Sequence, residues 1–261
     1  MLHQTPADDR GTHQRLAPSP ALAPYLAHFW SVTWQLEGRA DQYAEVLPHP
    51  SVHLAFEAHK ARVLGVPTKK FGRWLRGNGD VLGIKFRPAT FRLLFGRSVA
   101  TLTGRTPSLI SVFGRSAAKW VRAMFDETSF ETRIELSEAF LVPRLPPMTD
   151  EVARLRDLVE RMASDATLIT VEQAAEVMGV DRRTLERKFK DAVGVPPKWV
   201  IRRYRLHEAA AQLQQPGADL GQIALALGYF DQSHFTRDFK ATVGRPPGAF
   251  LAERSQVRYR R

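Results

Sequence analysis

Two kinds of hydrophobic periodicity divide the chain. From Tyr25 to Phe86, short β-favouring runs alternate with turn residues: His28–Trp34, Tyr43–Leu47, Ser51–Phe56, Arg62–Val66, Phe71–Leu75 and Val81–Phe86. Gly38, Pro48, Pro50, Pro67 and the Gly77-Asn-Gly-Asp80 cluster punctuate them, as expected of antiparallel strands joined by tight turns. After Pro88 the spacing becomes helical. Phe113, Ala117, Trp120, Val121 and Met124 make one apolar stripe and predict a helix over Ser111–Phe125, packed on the β unit or on a twin subunit. A second stripe, Val152, Leu155, Leu158, Val159 and Met162, follows the caps Thr149 and Asp150 and opens a wholly helical half.

The prolines of Leu141-Val-Pro-Arg-Leu-Pro-Pro-Met-Thr149 can continue neither a helix nor a central strand, so the boundary is expected there. The predicted organisation is α+β. A frayed start (1–17) leads to a β-rich, barrel-like or half-barrel-like domain with helices (18–142), a Pro-rich linker (143–149), an all-α domain (150–252) and a basic tail (253–261).

The helical half contains a repeat at an offset of fifty. Asp181-Arg-Arg-Thr-Leu-Glu-Arg-Lys-Phe-Lys-Asp-Ala-Val-Gly-Val-Pro-Pro197 aligns with Asp231-Gln-Ser-His-Phe-Thr-Arg-Asp-Phe-Lys-Ala-Thr-Val-Gly-Arg-Pro-Pro247, identical at eight of seventeen positions. Upstream, Val171-x-x-Ala-Ala175-x-x-x-Gly179 recurs as Leu220-x-x-Ile-Ala224-x-x-x-Gly228. Each copy reads as a capped short helix (Thr170, Asp219), a glycine turn (Gly179, Gly228), and a second helix capped by Asp181 or Asp231 and stopped at Gly194 or Gly244. That is a helix-turn-helix pattern. Leu185, Phe189 and Val193 in one copy, and Phe235, Phe239 and Val243 in the other, face inward. Arg183, Glu186, Arg187 and Lys190, and Ser233, His234, Thr236, Arg237 and Lys240, face a partner. A helix over Lys198–Leu213 is expected to join the two units.

Charge sharpens the picture. The 261 residues hold 38 Lys+Arg against 27 Asp+Glu, a net +11, which favours a polyanionic partner. Residues 182–205 carry nine basic and two acidic side chains, Arg202, Arg203 and Arg205 among them, as phosphate contact would require. Residues 60–105 hold eleven basic side chains and one acid, Asp80, suited to a solvated surface, an anionic effector or auxiliary DNA contact. The absence of cysteine removes disulfides, thiolate chemistry and Cys-based zinc sites. No apolar run approaches the ~18 residues of a membrane span, and Met1–Arg10 has no signal-like apolar core, so a cytoplasmic protein is expected, with no membrane partner. His49 and His53 lie four apart on what reads as a strand, too far for a metal pair, and nothing draws Glu45, Glu57 and Asp80 together. No metal, cofactor or catalytic site is therefore expected.

Two such units joined by one helix, with Gly-Tyr-Phe-Asp-Gln-Ser-His-Phe-Thr-Arg-Asp-Phe-Lys and Gly-Arg-Pro-Pro standing between 228 and 247, resemble the AraC/XylS family of bacterial transcription regulators across roughly residues 151–252. The resemblance implies a non-enzymatic protein that places both recognition helices in successive major-groove segments of double-stranded DNA. On that reading Arg182, Arg183, Glu186, Arg187, Lys190, Arg202, Arg203, Gln232, Ser233, His234, Thr236, Arg237 and Lys240 contact bases or phosphates. RNA polymerase is a further partner if the protein activates. Leu47-Pro-His-Pro-Ser-Val-His-Leu-Ala-Phe56 and Gly83-Ile-Lys-Phe-Arg-Pro88 are similar to the N-terminal domains of a β-rich sensor branch of the family. That similarity implies a small-molecule effector or a homodimer, with Trp30, Trp34, Phe56, Trp74 and Phe86 lining an apolar ligand cavity or forming plain core. The spaced His and Glu pattern of a metal-binding cupin is missing. So is the cysteine that methyl-transfer repair would need. The alternative is a constitutive DNA-binding protein whose N-terminal domain is only structural.

Overall fold

The computed structural model describes residues 11–46, 48–68, 71–213, 215 and 217–249. Five strands, β1 (Gly11–Leu16), β2 (Leu26–Leu36), β7 (Gly77–Phe86), β4 (His53–Glu57) and β5 (Lys60–Leu64), form one antiparallel sheet in the order β1-β2-β7-β4-β5. β3 (Gln42–Val46) and β6 (Phe71–Leu75) pair as a separate ribbon. The sheet is open, with β1 and β5 as its two edges, so the barrel-like expectation is corrected to an open sheet. The expected frayed start is corrected as well. Residues 11–16 pair with β2 from Gly11↔Trp34 to Leu16↔Phe29, an edge strand whose polar sequence hid it. Residues 1–10 lie outside the described residues.

Strand register separates two faces. Phe29, Ile84 and Leu54 stand in one cross-strand row and are fully buried, as are Leu82, Phe86 and Val63 on the same side. Helices α1 (Phe91–Phe95), α2 (Leu109–Phe113), α3 (Ala118–Asp126) and α4 (Phe130–Leu141) belong to that core. Trp120 stacks on Phe140 at 4.1 Å and meets Phe56 edge-on at 5.1 Å. The single helix expected over Ser111–Phe125 is broken: Gly114 takes φ 76°, and a 3-10 turn at Arg115–Ala117 re-aims the chain before α3. Trp120 is spent on this contact, so it is not open to a twin subunit.

Helices α5 (Asp150–Ser164), α6 (Val171–Met178), α7 (Arg182–Ala192), α8 (Pro197–Gln212), α9 (Leu220–Ala226) and α10 (Gln232–Val243) complete the chain. The Pro-rich segment separates α4 from α5, yet the core does not divide there. One continuous apolar core runs from Leu22 through Phe86, Val99 and Leu102 into Leu155, Phe189, Val193 and Ile201. A second core gathers Leu206, Ala209, Ala210 and Leu213 of the α8 end with Ile223, Ala224, Tyr229, Phe235 and Phe239. The packing therefore divides within α8. The first helix-turn-helix unit is built onto the β-rich part, and the second stands on a core of its own.

Candidate nucleic-acid interface

Local chemistry sets up both units in the same way. Thr170 closes a capping box with Gln173 at the start of α6, and Asp219 accepts from the Gln222 amide at the start of α9. Gly179 (φ 66°) and Gly228 (φ 77°) make the left-handed turns that an L side chain would resist. Asp181 accepts from the Thr184 amide at 2.9 Å and its hydroxyl at 2.6 Å, bonds that hold its carboxyl below the usual range, the hydroxyl bond most. Asp231 accepts from the His234 amide at 2.6 Å.

The second helices then present matching faces. Arg183, Glu186, Arg187 and Lys190 on α7 sit at i, i+3, i+4 and i+7; Ser233, Thr236, Arg237 and Lys240 on α10 sit at the same spacing, fifty residues later. Exposure repeats too: the first, third and fourth positions are exposed and the second is half-buried in both copies. Behind these faces Leu185 and Phe189, or Phe235 and Phe239, are fully buried. Gln232 and His234 are exposed at the start of α10. The roughly two turns covered by each face are long enough to follow one major-groove segment.

Three residues of the expected set are engaged by the protein itself. Arg182 is bridged by Glu186 at 3.0 Å and Glu172 at 2.8 Å, which raises its pKa further and also ties up Glu186. Arg202 reaches Asp238 on α10 at 2.5 Å, beside Tyr229 and with His234 at 3.6 Å from the same carboxylate, so it straps α10 to α8. Arg203 is 2% exposed and donates through Nε to the Pro48 carbonyl, and Arg205 donates to the carbonyls of Ala166 and Leu168. The reason is geometric. At ~100° per residue, 202, 203 and 205 span an arc of about 160° around α8, wider than the strip left open on a helix gripped by two cores. That spacing was legible in the sequence. The Asp238 strap carried no such signal, because it depends on how α10 crosses α8.

The first unit is also tied to the β-rich part. Arg92 pairs with Asp191 at 2.8 Å, and the Thr103 hydroxyl donates to the Gly194 carbonyl at 2.6 Å.

The aromatic residues expected around a ligand do not converge. Phe56 and Phe86 are interior core, Trp34 packs with Leu36 and Leu75, and Trp74 is 58% exposed beside Tyr43 on the ribbon. Trp30 stands on the opposite sheet face from Phe56 and Phe86. A cavity of about 410 Å³ lies elsewhere, lined by residues including Phe95, Arg97, Thr101, Leu102 and Arg105. Among the described residues no group of three or more His, Cys, Asp or Glu is placed to hold a metal ion, and no helix is long and apolar enough to cross a membrane.

Comparison with known proteins fits this geometry. Residues 174–253 match a family model described as a helix-turn-helix domain, and residues 14–108 match a domain of unknown function, DUF6597. An AraC-like regulator of Streptomyces lividans is 38% identical over 81 residues, 31% of this chain and 27% of that protein. PqrA of Proteus vulgaris, named as a transcription factor, is 35% identical over 82 residues, 31% of this chain and 67% of that protein. The chain belongs to the AraC/XylS family. A solved AraC-type DNA-binding-domain protein from Chromobacterium violaceum is 31% identical, covering 40% of this chain and 93% of that one at a TM-score of 0.36. This AraC/XylS protein spans about a quarter of the length of the first of these relatives.

Proposed function

We propose that the protein is a sequence-specific, DNA-binding transcription regulator that reads double-stranded DNA with α7 and α10. One observation carries this reading: two capped helices, fifty residues apart, present the same four-position polar face with the same exposure, each over a fully buried aromatic base. Arg183, Arg187 and Arg237 are suited to guanine edges or phosphates, Gln232 to adenine, and Lys190 and Lys240 to phosphates. Ser233, His234 and Thr236 complete the face of α10, and Glu186 joins that of α7 when its bridge to Arg182 opens. The β-rich part then serves as the scaffold of α7 but not of α10. A small-molecule effector or a second copy acting on it changes the presentation of one reading helix relative to the other, and RNA polymerase is the further partner if the outcome is activation.

The test is binding of the full chain to duplexes selected from a random library, over a salt series. The five cations Arg183, Arg187, Lys190, Arg237 and Lys240 predict a log–log salt slope of about −4.5, or a ~500-fold loss of affinity between ~50 and ~200 mM salt. Arg187→Ala and Arg237→Ala each cost ~1–3 kcal/mol on the selected site and relax preference at one position. Salt-independent binding, or selection that returns no consensus, overturns the reading.

A further inference from the structure

The sheet face turned away from the buried aromatic core carries an unusual set of side chains. His28 of β2, Lys85 of β7 and His53 of β4 are cross-strand neighbours in one row, all half-buried. Trp30 lies beside them, flat over Gly83, where a Cβ would sit 2.0 Å from its ring, and Arg15 of β1 is paired opposite Trp30. The Trp30 indole donates to His53 Nδ1 at 3.3 Å, which leaves the His53 proton on Nε2 as an outward donor. Above this row stands Arg203 of α8. Its Nε is bonded to the Pro48 carbonyl, but Nη1 and Nη2 are buried with no hydrogen-bond partner. One turn further along α8, His207 buries an unpartnered Nε2, its ring edge-on to His49 at 5.4 Å.

Cations gather here without an anion among the described residues. Neither Lys85 nor Arg203 has a carboxylate partner among the described residues, and the charged groups acting on Lys85 are Arg15 and Arg203, both of its own sign. Burial and this crowding hold Lys85 down at about 8 and His53 at about 3. Buried guanidinium donors left unpaired cost free energy that the fold does not return; an oxyanion accepting from them would return it.

We infer that Arg203, Lys85 and the His28/His53 row form a binding site for a small organic oxyanion, a carboxylate or a phosphate, with Trp30 as its apolar wall. The site joins the β-rich part to the helix that supplies both cores, Val200 and Ile201 to the first, Leu206 and Ala209 to the second. An occupant would draw Arg203 and the sheet together and so bias how the two units are held. That last consequence rests on the DNA-binding reading; the site itself does not.

The experiment is thermal unfolding of the full chain without DNA, at constant ionic strength, against benzoate, inorganic phosphate and the neutral control benzamide. The expected result is a rise of ~3–6 °C at ten times Kd for at least one anion and none for benzamide. The rise should vanish in Lys85→Met and in Arg203→Met, two variants so that a folding defect in one leaves the other informative. A response to benzoate alone identifies a carboxylate ligand, and one to phosphate alone a phosphoryl ligand. No shift with either anion, an equal shift with benzamide, or a shift that survives in both variants overturns the assignment. Loss of DNA binding with the anion response intact would count against the regulator reading and not against the site.

Discussion

Gly194 and Gly228 test whether the first unit is fastened to the β-rich part. Both follow a helix of the repeat and both have left-handed backbones, φ 93° and 77°. Alanine at either costs ~1–2 kcal/mol for that conformation alone. Their surroundings differ. A Cβ on Gly228 would meet Ile169 Cδ1 at 3.5 Å, an ordinary contact. A Cβ on Gly194 would stand 3.0 Å from both Thr103 Oγ1 and Val99 Cγ1 and 3.3 Å from the Val99 carbonyl, in the seam where Thr103 donates to the Gly194 carbonyl. Opening that seam strains or breaks the hydrogen bond, worth ~0.5–1.5 kcal/mol net, and adds overpacking of ~1 kcal/mol or more. Gly194→Ala should therefore cost ~2–4 kcal/mol against ~1–2 kcal/mol for Gly228→Ala, each kcal/mol lowering Tm by ~2–4 °C. The assay is calorimetric unfolding of the full chain, followed by a double-mutant cycle on DNA. In the Gly194→Ala background, Arg187→Ala should lose part of its effect, because α7 is misplaced, while Arg237→Ala should keep all of its own. Gly194→Ala melting no lower than Gly228→Ala would refute the fastening.

Phe239→Ala removes a fully buried ring from the second core and should cost ~3–5 kcal/mol, with amide-exchange protection lost in α9 and α10 but kept in α7; uniform loss would show that the two cores are one cooperative unit. Asp231→Ala deletes the cap on the His234 amide and should lower stability by ~1 kcal/mol, measured by urea unfolding, where an unchanged midpoint would contradict the capping geometry. Lys85 titrates at about 8 in the folded protein and near ~10.4 when unfolded, so between those values the unfolded chain binds more protons and stability rises with pH. Lys85→Met should lack that part of the rise between pH 8 and 10, and identical pH profiles in variant and wild type would rule it out.

Much of the candidate interface was legible because its determinants act within one turn of chain. The caps Thr170, Asp181, Asp219 and Asp231, the left-handed glycines 179, 194, 228 and 244, and the buried pairs Leu185/Phe189 and Phe235/Phe239 all stand where local spacing predicts them. The strands from β2 to β6 were legible for the same reason, each announced by alternation and a turn; β7 was legible only from Val81, because the Gly77-Asn-Gly-Asp80 cluster expected as a turn is strand, paired with Leu36 to Thr33 of β2. Errors arose where a local pattern competed with a partner distant in sequence. β1 is polar and is a strand only because β2 offers it an edge. The apolar stripe over Ser111–Phe125 outweighed Gly114, which breaks it.

The amino-acid order by itself determined two outward-facing helices with matching polar positions, since hydrogen bonds from i to i+3 or i+4 and the burial of one stripe need nothing but the segment and its neighbour. Tertiary structure decided which partners engage the cations of α8. Arg202 is claimed by Asp238, and Arg203 by a sheet face and the Pro48 carbonyl more than 150 residues away. It also decided that the core should divide within α8 and not at the prolines, because burial is settled by which apolar surfaces meet in space, and Val99 and Leu102 meet Val193 across ninety residues of chain.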